Sequence, residues 1–275
     1  MIPSLNQGDF LKRCIESCLQ QTVSNREVLI QDGGSTDSTV EILKTYNHEI
    51  DWISETDDGQ ADAVNRCVGR AKGEIIAWIN SDDYYFSADS LEKVCKIFWE
   101  QPDIDIVFGD AVMVDVNGIP NQLYSTASVI DPQGKLMETP ASPLSQPATF
   151  FRKSLFDKVG GLKTNLHWAL DLDLWIRMFD QTSRWQRIDS VLASMTVHED
   201  AKSIAGMGKQ IRELTQIKLD YLRQQGGSKL MAQTKVRWNW IWLQIYRLAK
   251  SAGWTRTTEG RTLKKYATDS FPVLP

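Results

Sequence analysis

Two hydrophobic periods alternate along the first two thirds of the chain. Short apolar runs of strand length occur at 27–31, 51–54, 74–79 and 104–109, separated by helical spacing at 38–46, 59–72 and 88–100. An earlier helix shows an apolar face of Phe10, Cys14, Ile15, Cys18 and Leu19, with Asp9 placed to cap it. Gly73 is expected to end the helix over 59–72. Strands alternating with helices of this length predict an α/β fold, a mostly parallel, Rossmann-like sheet with helices covering its faces. Such a fold opens on a strand, yet Pro3-Ser4-Leu5-Asn6 already reads as the loop after one. The first strand is therefore expected to be truncated, with neighbouring edges left unpaired.

The pattern then changes. Residues 112–124 read as a hairpin turning at Asn117-Gly118, and 125–145 as a loop with Pro132, Pro140 and Pro143. A strand at 148–151, a helix closed by Gly160-Gly161, a helix over 170–179 and a last strand at 191–197 follow. From 208 onward the spacing predicts two helices broken at Gly226-Gly227. This divides the chain into one domain over 1–205, with halves of about 1–110 and 111–205, and a helical C-terminal extension over 206–275.

A chain of 275 residues suits one α/β domain with an appendage. No apolar run reaches the roughly 18–20 residues that span a bilayer, and no leader pattern opens the chain, so a cytoplasmic location is expected. Cys14, Cys18, Cys67 and Cys95 form no Cys-x-x-Cys pair and read as reduced core residues. The net charge of −4 is uneven: from 228 onward nine Lys and Arg face only Glu259 and Asp269. Within that basic segment Trp238, Trp240, Trp242 and Tyr246 lie between Arg237 and Arg247. Residues 228–265 are thus expected either to lie peripherally on the inner face of a membrane or to pack on the domain or on a second subunit, as in a homodimer. The acidic body argues against nucleic acid.

Four acidic clusters carry candidate chemistry. Asn80-Ser81-Asp82-Asp83 follows an apolar strand directly, and in open α/β sheets ligands bind beyond the carboxyl ends of strands. Two adjacent carboxylates there call for a hard divalent cation such as Mn2+ or Mg2+, or else form a capped turn. Gln31-Asp32-Gly33-Gly34-Ser35-Thr36-Asp37 also follows a strand; Asp32 is placed either to meet a nucleotide or to close a turn. Asp57-Asp58-Gly59-Gln60 opens a helix, as a ligand loop or a cap. In Leu170-Asp171-Leu172-Asp173-Leu174-Trp175-Ile176-Arg177, Asp171 lies near a helix start, as a general base or a dipole partner. Arg177 is expected to pair with an acidic neighbour.

The order of these clusters, together with Pro-Ser-Leu-Asn-Gln-Gly (3–8), Asp-Gly-Gln-Ala-Asp-Ala (58–63) and Gln-Pro-Ala-Thr-Phe-Phe-Arg (146–152), resembles family 2 glycosyltransferases. The resemblance runs from Pro3 to about Ser203 and implies a GT-A fold and inverting transfer from a nucleotide-sugar, UDP-linked by preference. It implies nucleotide contacts for Pro3 and Asp32, and a base-side role for Asp58. It makes Asp83 a metal ligand, with Asp82 near ribose and metal. Gln146 would meet the acceptor or transferred sugar, and Asp171 would deprotonate the acceptor hydroxyl. His198, followed by Lys202-Ser203, would close over the diphosphate or ligate the metal. The implied partners are a nucleotide-sugar and a saccharide or lipid-linked acceptor, in cell-surface polysaccharide or glycan synthesis. Two other readings compete: a nucleotide-sugar binding module without turnover, and a sugar nucleotidyltransferase. The latter is expected to open on a Gly-rich loop with Arg and Lys where this chain has Pro3 to Gly8.

Overall fold

A computed structural model describes residues 1–139, 142–198 and 207–226. Strands β1 (Ile2–Ser4), β2 (Leu29–Asp32) and β3 (Asp51–Ser54) form a parallel sheet in that order. Helices α1 (Gly8–Leu19), α2 (Thr39–Thr45) and α3 (Gln60–Arg70) follow them in turn. The second sheet is mixed. It runs from β4 (Ile75–Ala77) through β8 (Thr149–Arg152), β6 (Ile106–Val114) and β9 (Trp185–Thr196) to β5 (Tyr84–Tyr85). Strand β7 (Pro120–Tyr124) pairs with β6 as the expected hairpin, and β6 runs parallel to β9.

Strand β1 is three residues long, and its neighbours are not left unpaired. The Met1 ammonium donates to the Ala77 carbonyl at 2.7 Å, and the Met1 carbonyl accepts from Ile79 N at 3.1 Å. Three residues thus join β2 on one side to the β4 segment on the other, and the two sheets meet along this seam.

Alternation along the central strands makes two cores. Ile106, Phe108 and Phe151 face one with α3, α6 (Lys153–Lys158) and α7 (Leu170–Gln181). Val107, Ala111 and Phe150 face the other with α1 and α4 (Ser90–Glu100). Where β6 and β9 slip register, a Cβ on Gly109 would lie 2.6 Å from Leu192 Cδ1 and 2.8 Å from the Ser190 carbonyl, so the approach requires glycine.

Several expectations need correction. Asp9 does not cap α1; it lies inside the first turn, and Asp37 from the neighbouring loop accepts from Gly8 N at 2.9 Å. Helix α3 ends before Gly73, because Lys72 N and Gly73 N both turn to Glu27 Oε1 at 2.7 Å. Residues 125–145 are not all loop. Asp131 and Pro132 start α5 (Pro132–Glu138), the Asp131 carboxylate accepting from Gly134 N.

Helix α8 (Met207–Gln224) falls in the segment read as an extension, yet Leu214 and Ile217 are buried in the same core as Leu170 and Trp175. The second C-terminal helix, the basic Trp-rich segment and Lys202-Ser203 lie outside the described residues. No described helix is long and apolar enough to cross a membrane.

Lys218 on α8 is 4% exposed and donates to the Thr139 carbonyl. Burial pushes its ammonium down to about 8 from 10.5. Below pH 8 the group is charged folded and unfolded alike, and the fold carries the desolvation cost. Between about 8 and 10.5 the unfolded chain binds more protons, so stability rises with pH. Lys218→Met is expected to abolish that rise. At pH 7 it should gain on the order of 2 kcal/mol, the avoided desolvation less one hydrogen bond. Urea unfolding of both proteins across pH 7–10 checks this; parallel curves would refute it.

Candidate active site

The loop after β1 is laced to the loop after β2. Asn6, at φ 51°, donates from its backbone N to Ser35 Oγ at 2.7 Å, and Asn6 Oδ1 accepts from Thr36 N at 2.9 Å. Asp32 is wholly buried and organises the turn. Its carboxylate accepts from Gly34 N, Ser35 N, Ser35 Oγ and, at 2.6 Å, Ser54 Oγ. Pro3 is buried in register with Gln31.

Of the adjacent pair 57 and 58, it is Asp57 that faces this loop. A Cβ on Gly33 would lie 3.0 Å from Asp57 Oδ2, and Asp57 Oδ1 accepts from Gly59 N. Burial pushes the Asp57 carboxyl up, and the charges of Asp62 and Asp32 add to this. Asp58, singled out by the sequence pattern, is exposed.

At the end of β4, Asn80 Oδ1 accepts from Gln60 Nε2 at 2.8 Å and Trp78 Nε1 at 3.2 Å, which fixes the turn. Asp83 is 6% exposed, and one carboxylate oxygen accepts from Thr196 N at 3.0 Å. Burial pushes its carboxyl well up, and the charge of Asp82 adds to the shift; Thr196 N and Arg13 oppose it. Asp82 Oδ2 lies 3.2 Å from His198 Nε2, and the His198 ring stacks on Phe10 with centroids 4.6 Å apart.

A cavity of about 360 Å³ opens beside these groups. Gln60, Trp78, Asp82 and Asp83 line it from one half of the fold, and Gln146, Trp168, Asp171 and Thr196 from the other. Gln146 is buried; its Nε2 donates to the Trp78 carbonyl, while Oε1 has no partner among the described residues. An acceptor oxygen left desolvated at a cavity wall is ready for a ligand hydroxyl. Asp171 sits in the first turn of α7, and its charge, after burial, helps push the Tyr124 phenol up. Asp173 on the same helix is buried and pairs with Lys163 at 2.6 Å and Arg177 at 2.7 Å, as expected for Arg177.

The structure thus brings Asp82, Asp83, Gln146 and Asp171 onto one cavity, with His198 at Asp82. Pro3, Asp32 and Asp58 stand outside its lining. Among the described residues, no three His, Cys, Asp or Glu side chains gather closely enough to hold a metal by themselves. The chemistry of Asp82 and Asp83 nevertheless suits a hard divalent cation. Their donors are oxygens, and at Asp83 burial and the charge of Asp82 outweigh the bond from Thr196 N and the charge of Arg13. Magnesium-type sites commonly use one or two carboxylates and leave the remaining positions to phosphates and water.

The sequence model of the family described as "Glycosyl transferase family 2" matches residues 1–160. The chain belongs to this family. The match includes the loops of Asp32, Asp57 and Asp82-Asp83, and ends before Asp171 and His198. A "PGL/p-HBAD biosynthesis glycosyltransferase" of Mycobacterium bovis is 30% identical over 183 residues, covering 65% of this chain and 68% of that protein. The hyaluronan synthase of Pasteurella multocida is 25% identical over 224 residues, covering 76% of this chain and 21% of that much longer protein.

Two solved glycosyltransferase structures superpose on this chain over most of its length and share its fold. S. aureus TarS 1-349 in complex with UDP-GlcNAc superposes with a TM-score of 0.65 at 16% identity, covering 86% of this chain and 70% of that one. The mannosyltransferase PcManGT from Pyrobaculum calidifontis, in complex with GDP-Man and Mn2+, gives 0.64 at 18% identity, covering 97% and 78%. The fold of this glycosyltransferase is therefore GT-A, as the resemblance implied.

Beyond the motifs, the cavity enlists Trp168, Tyr124 and, from α8, Gln210. Only Trp168 carried a sequence signal, an aromatic three residues before Asp171.

Proposed function

We propose that this glycosyltransferase is inverting and metal-dependent, and moves a sugar from a UDP-linked donor to a hydroxyl of a saccharide or lipid-linked acceptor in glycan synthesis. The observation that carries the proposal is that Asp83, at a strand end, and Asp171, at a helix start, line the same cavity. The UDP-GlcNAc complex of TarS and the names of the relatives support the donor class and the glycan context.

Asp32 acts on the nucleotide through the loop it holds, next to Pro3, and Asp57 takes the base-side role that the resemblance gave Asp58. Asp83, with Asp82 and His198, would hold Mn2+ or Mg2+, which neutralises charge on the departing diphosphate when bound. Gln146 Oε1 accepts from a sugar hydroxyl. Asp171 takes the acceptor's proton as its oxygen attacks the anomeric carbon. The bond to the diphosphate breaks on the opposite face, and the configuration inverts.

A thermal-shift panel of UDP-GlcNAc, UDP-Glc, UDP-Gal and GDP-Man tests the reading. At least one UDP-sugar should raise Tm by several degrees with Mn2+ and much less with EDTA. No shift and no nucleoside diphosphate release with any donor would overturn it.

A further inference from the structure

Helix α8 reaches the catalytic side of the fold through one carboxylate. Glu213 Oε1 accepts from His167 N at 2.9 Å, and Glu213 Oε2 accepts from Trp168 N at 2.6 Å and Ala169 N at 2.7 Å. These amides belong to the turn that leads into α7: Ala169 is its N-cap, and His167 and Trp168 stand just before it. A full negative charge at the positive end of α7 makes charge-assisted bonds to donors that would otherwise depend on water. Two residues beyond Ala169 stands Asp171; Trp168 itself lines the cavity. Around this anchor, Lys209 lies over the Trp168 ring, 5.6 Å from its centroid, and Leu214 and Ile217 are buried.

We propose that Glu213 is a positioning residue for transfer: it fixes the turn that leads into α7, so that Asp171 presents itself to the acceptor. The proposal rests on the reading of Asp171 as base. It makes α8, which lies beyond the residues that match the family, a working part of the acceptor side. Glu213 does not line the cavity, so its effect falls on turnover and leaves donor affinity alone.

The test measures nucleoside diphosphate release with Mn2+, water acting as acceptor, from whichever of UDP-GlcNAc, UDP-Glc, UDP-Gal and GDP-Man is turned over fastest. Glu213→Ala should lower kcat about 10- to 100-fold, as expected when a reacting group is misplaced by about an ångström, with donor KM within about two-fold. Glu213→Gln, which keeps one acceptor oxygen, should recover part of the loss, and carries the test if the alanine variant fails to fold. Tyr221→Phe removes α8 bonds to Asp180 and Gln133 without touching the turn, and should stay within about two-fold of the parent.

The double variant Glu213→Ala/Asp171→Asn should be no slower than Asp171→Asn alone, because nothing remains to be positioned. Full kcat in both Glu213 variants, with Asp171→Asn impaired, overturns this inference and leaves the Asp171 reading standing. An equal loss in Tyr221→Phe, or additive losses in the double variant, overturns it in favour of plain helix docking. Full turnover in Asp171→Asn, or no release by the parent protein, removes the base reading and this inference with it.

Discussion

Asp171→Asn is expected to lower the transfer rate by about 10²- to 10⁴-fold while leaving folding and donor binding intact, the range measured for loss of a positioned general base. The substitution keeps the shape of the side chain and removes only its capacity to take a proton. Asp171 is half-buried at the start of α7 and lines the same cavity as Asp82 and Asp83. The turn before it is fixed by Glu213, and the helix behind it by Asp173 with Lys163 and Arg177. The measurement pairs product formation with a thermal-shift titration of the nucleotide-sugar and Mn2+. The expected result is an unchanged titration with a collapsed rate. If the rate is retained, the proton leaves by another route and the base assignment fails. If binding is lost as well, Asp171 belongs to the donor site instead.

How far such roles can be read from sequence depends on how local their causes are. The strand-end acidic clusters were legible because a buried apolar run followed by Asp and Gly carries its own structural cause over a few residues. Asp82, Asp83 and Asp171 accordingly line one cavity, as their order implied. That Asp57, and not Asp58, packs against Gly33 was not legible, because adjacent residues in a turn point in different directions. The seam at Met1 was missed because its partners, Ala77 and Ile79, lie more than 75 residues away and pair through backbone atoms that no side-chain pattern records. The Glu213 contact was missed for the same reason: it accepts from amides 44–46 residues before it, in the turn ahead of α7, through tertiary packing of α8. Asp32 shows the reverse case. Its position was legible, but its carboxylate is wholly taken up by its own turn and by Ser54. On the proposed reading, its influence on a nucleotide would pass through the loop.

The other large effect is expected at Asp83, where activity and stability should move in opposite directions. Asp83→Asn keeps the acceptor for Thr196 N and removes a buried charge that has Asp82 as its neighbour. A desolvated carboxylate beside a second carboxylate costs free energy until a cation compensates it. In the absence of divalent metal the variant should therefore be more stable, by about 1–2 kcal/mol in urea unfolding at neutral pH, within the range for relieving a poorly compensated buried charge. With Mn2+ and donor it should lose turnover by at least about 10²-fold, because charge on the leaving diphosphate is no longer offset. EDTA should reproduce the catalytic loss in the parent protein and add nothing to that of the variant. A merely structural Asp83 predicts a different pattern: a destabilised variant, with activity falling only as folded protein is lost. If Asp83→Asn lowers stability, or if it turns over with the parent's Mn2+ dependence, the carboxylate is part of the scaffold. The opposite signs would instead identify a site whose destabilising charge is kept for the ligand it holds.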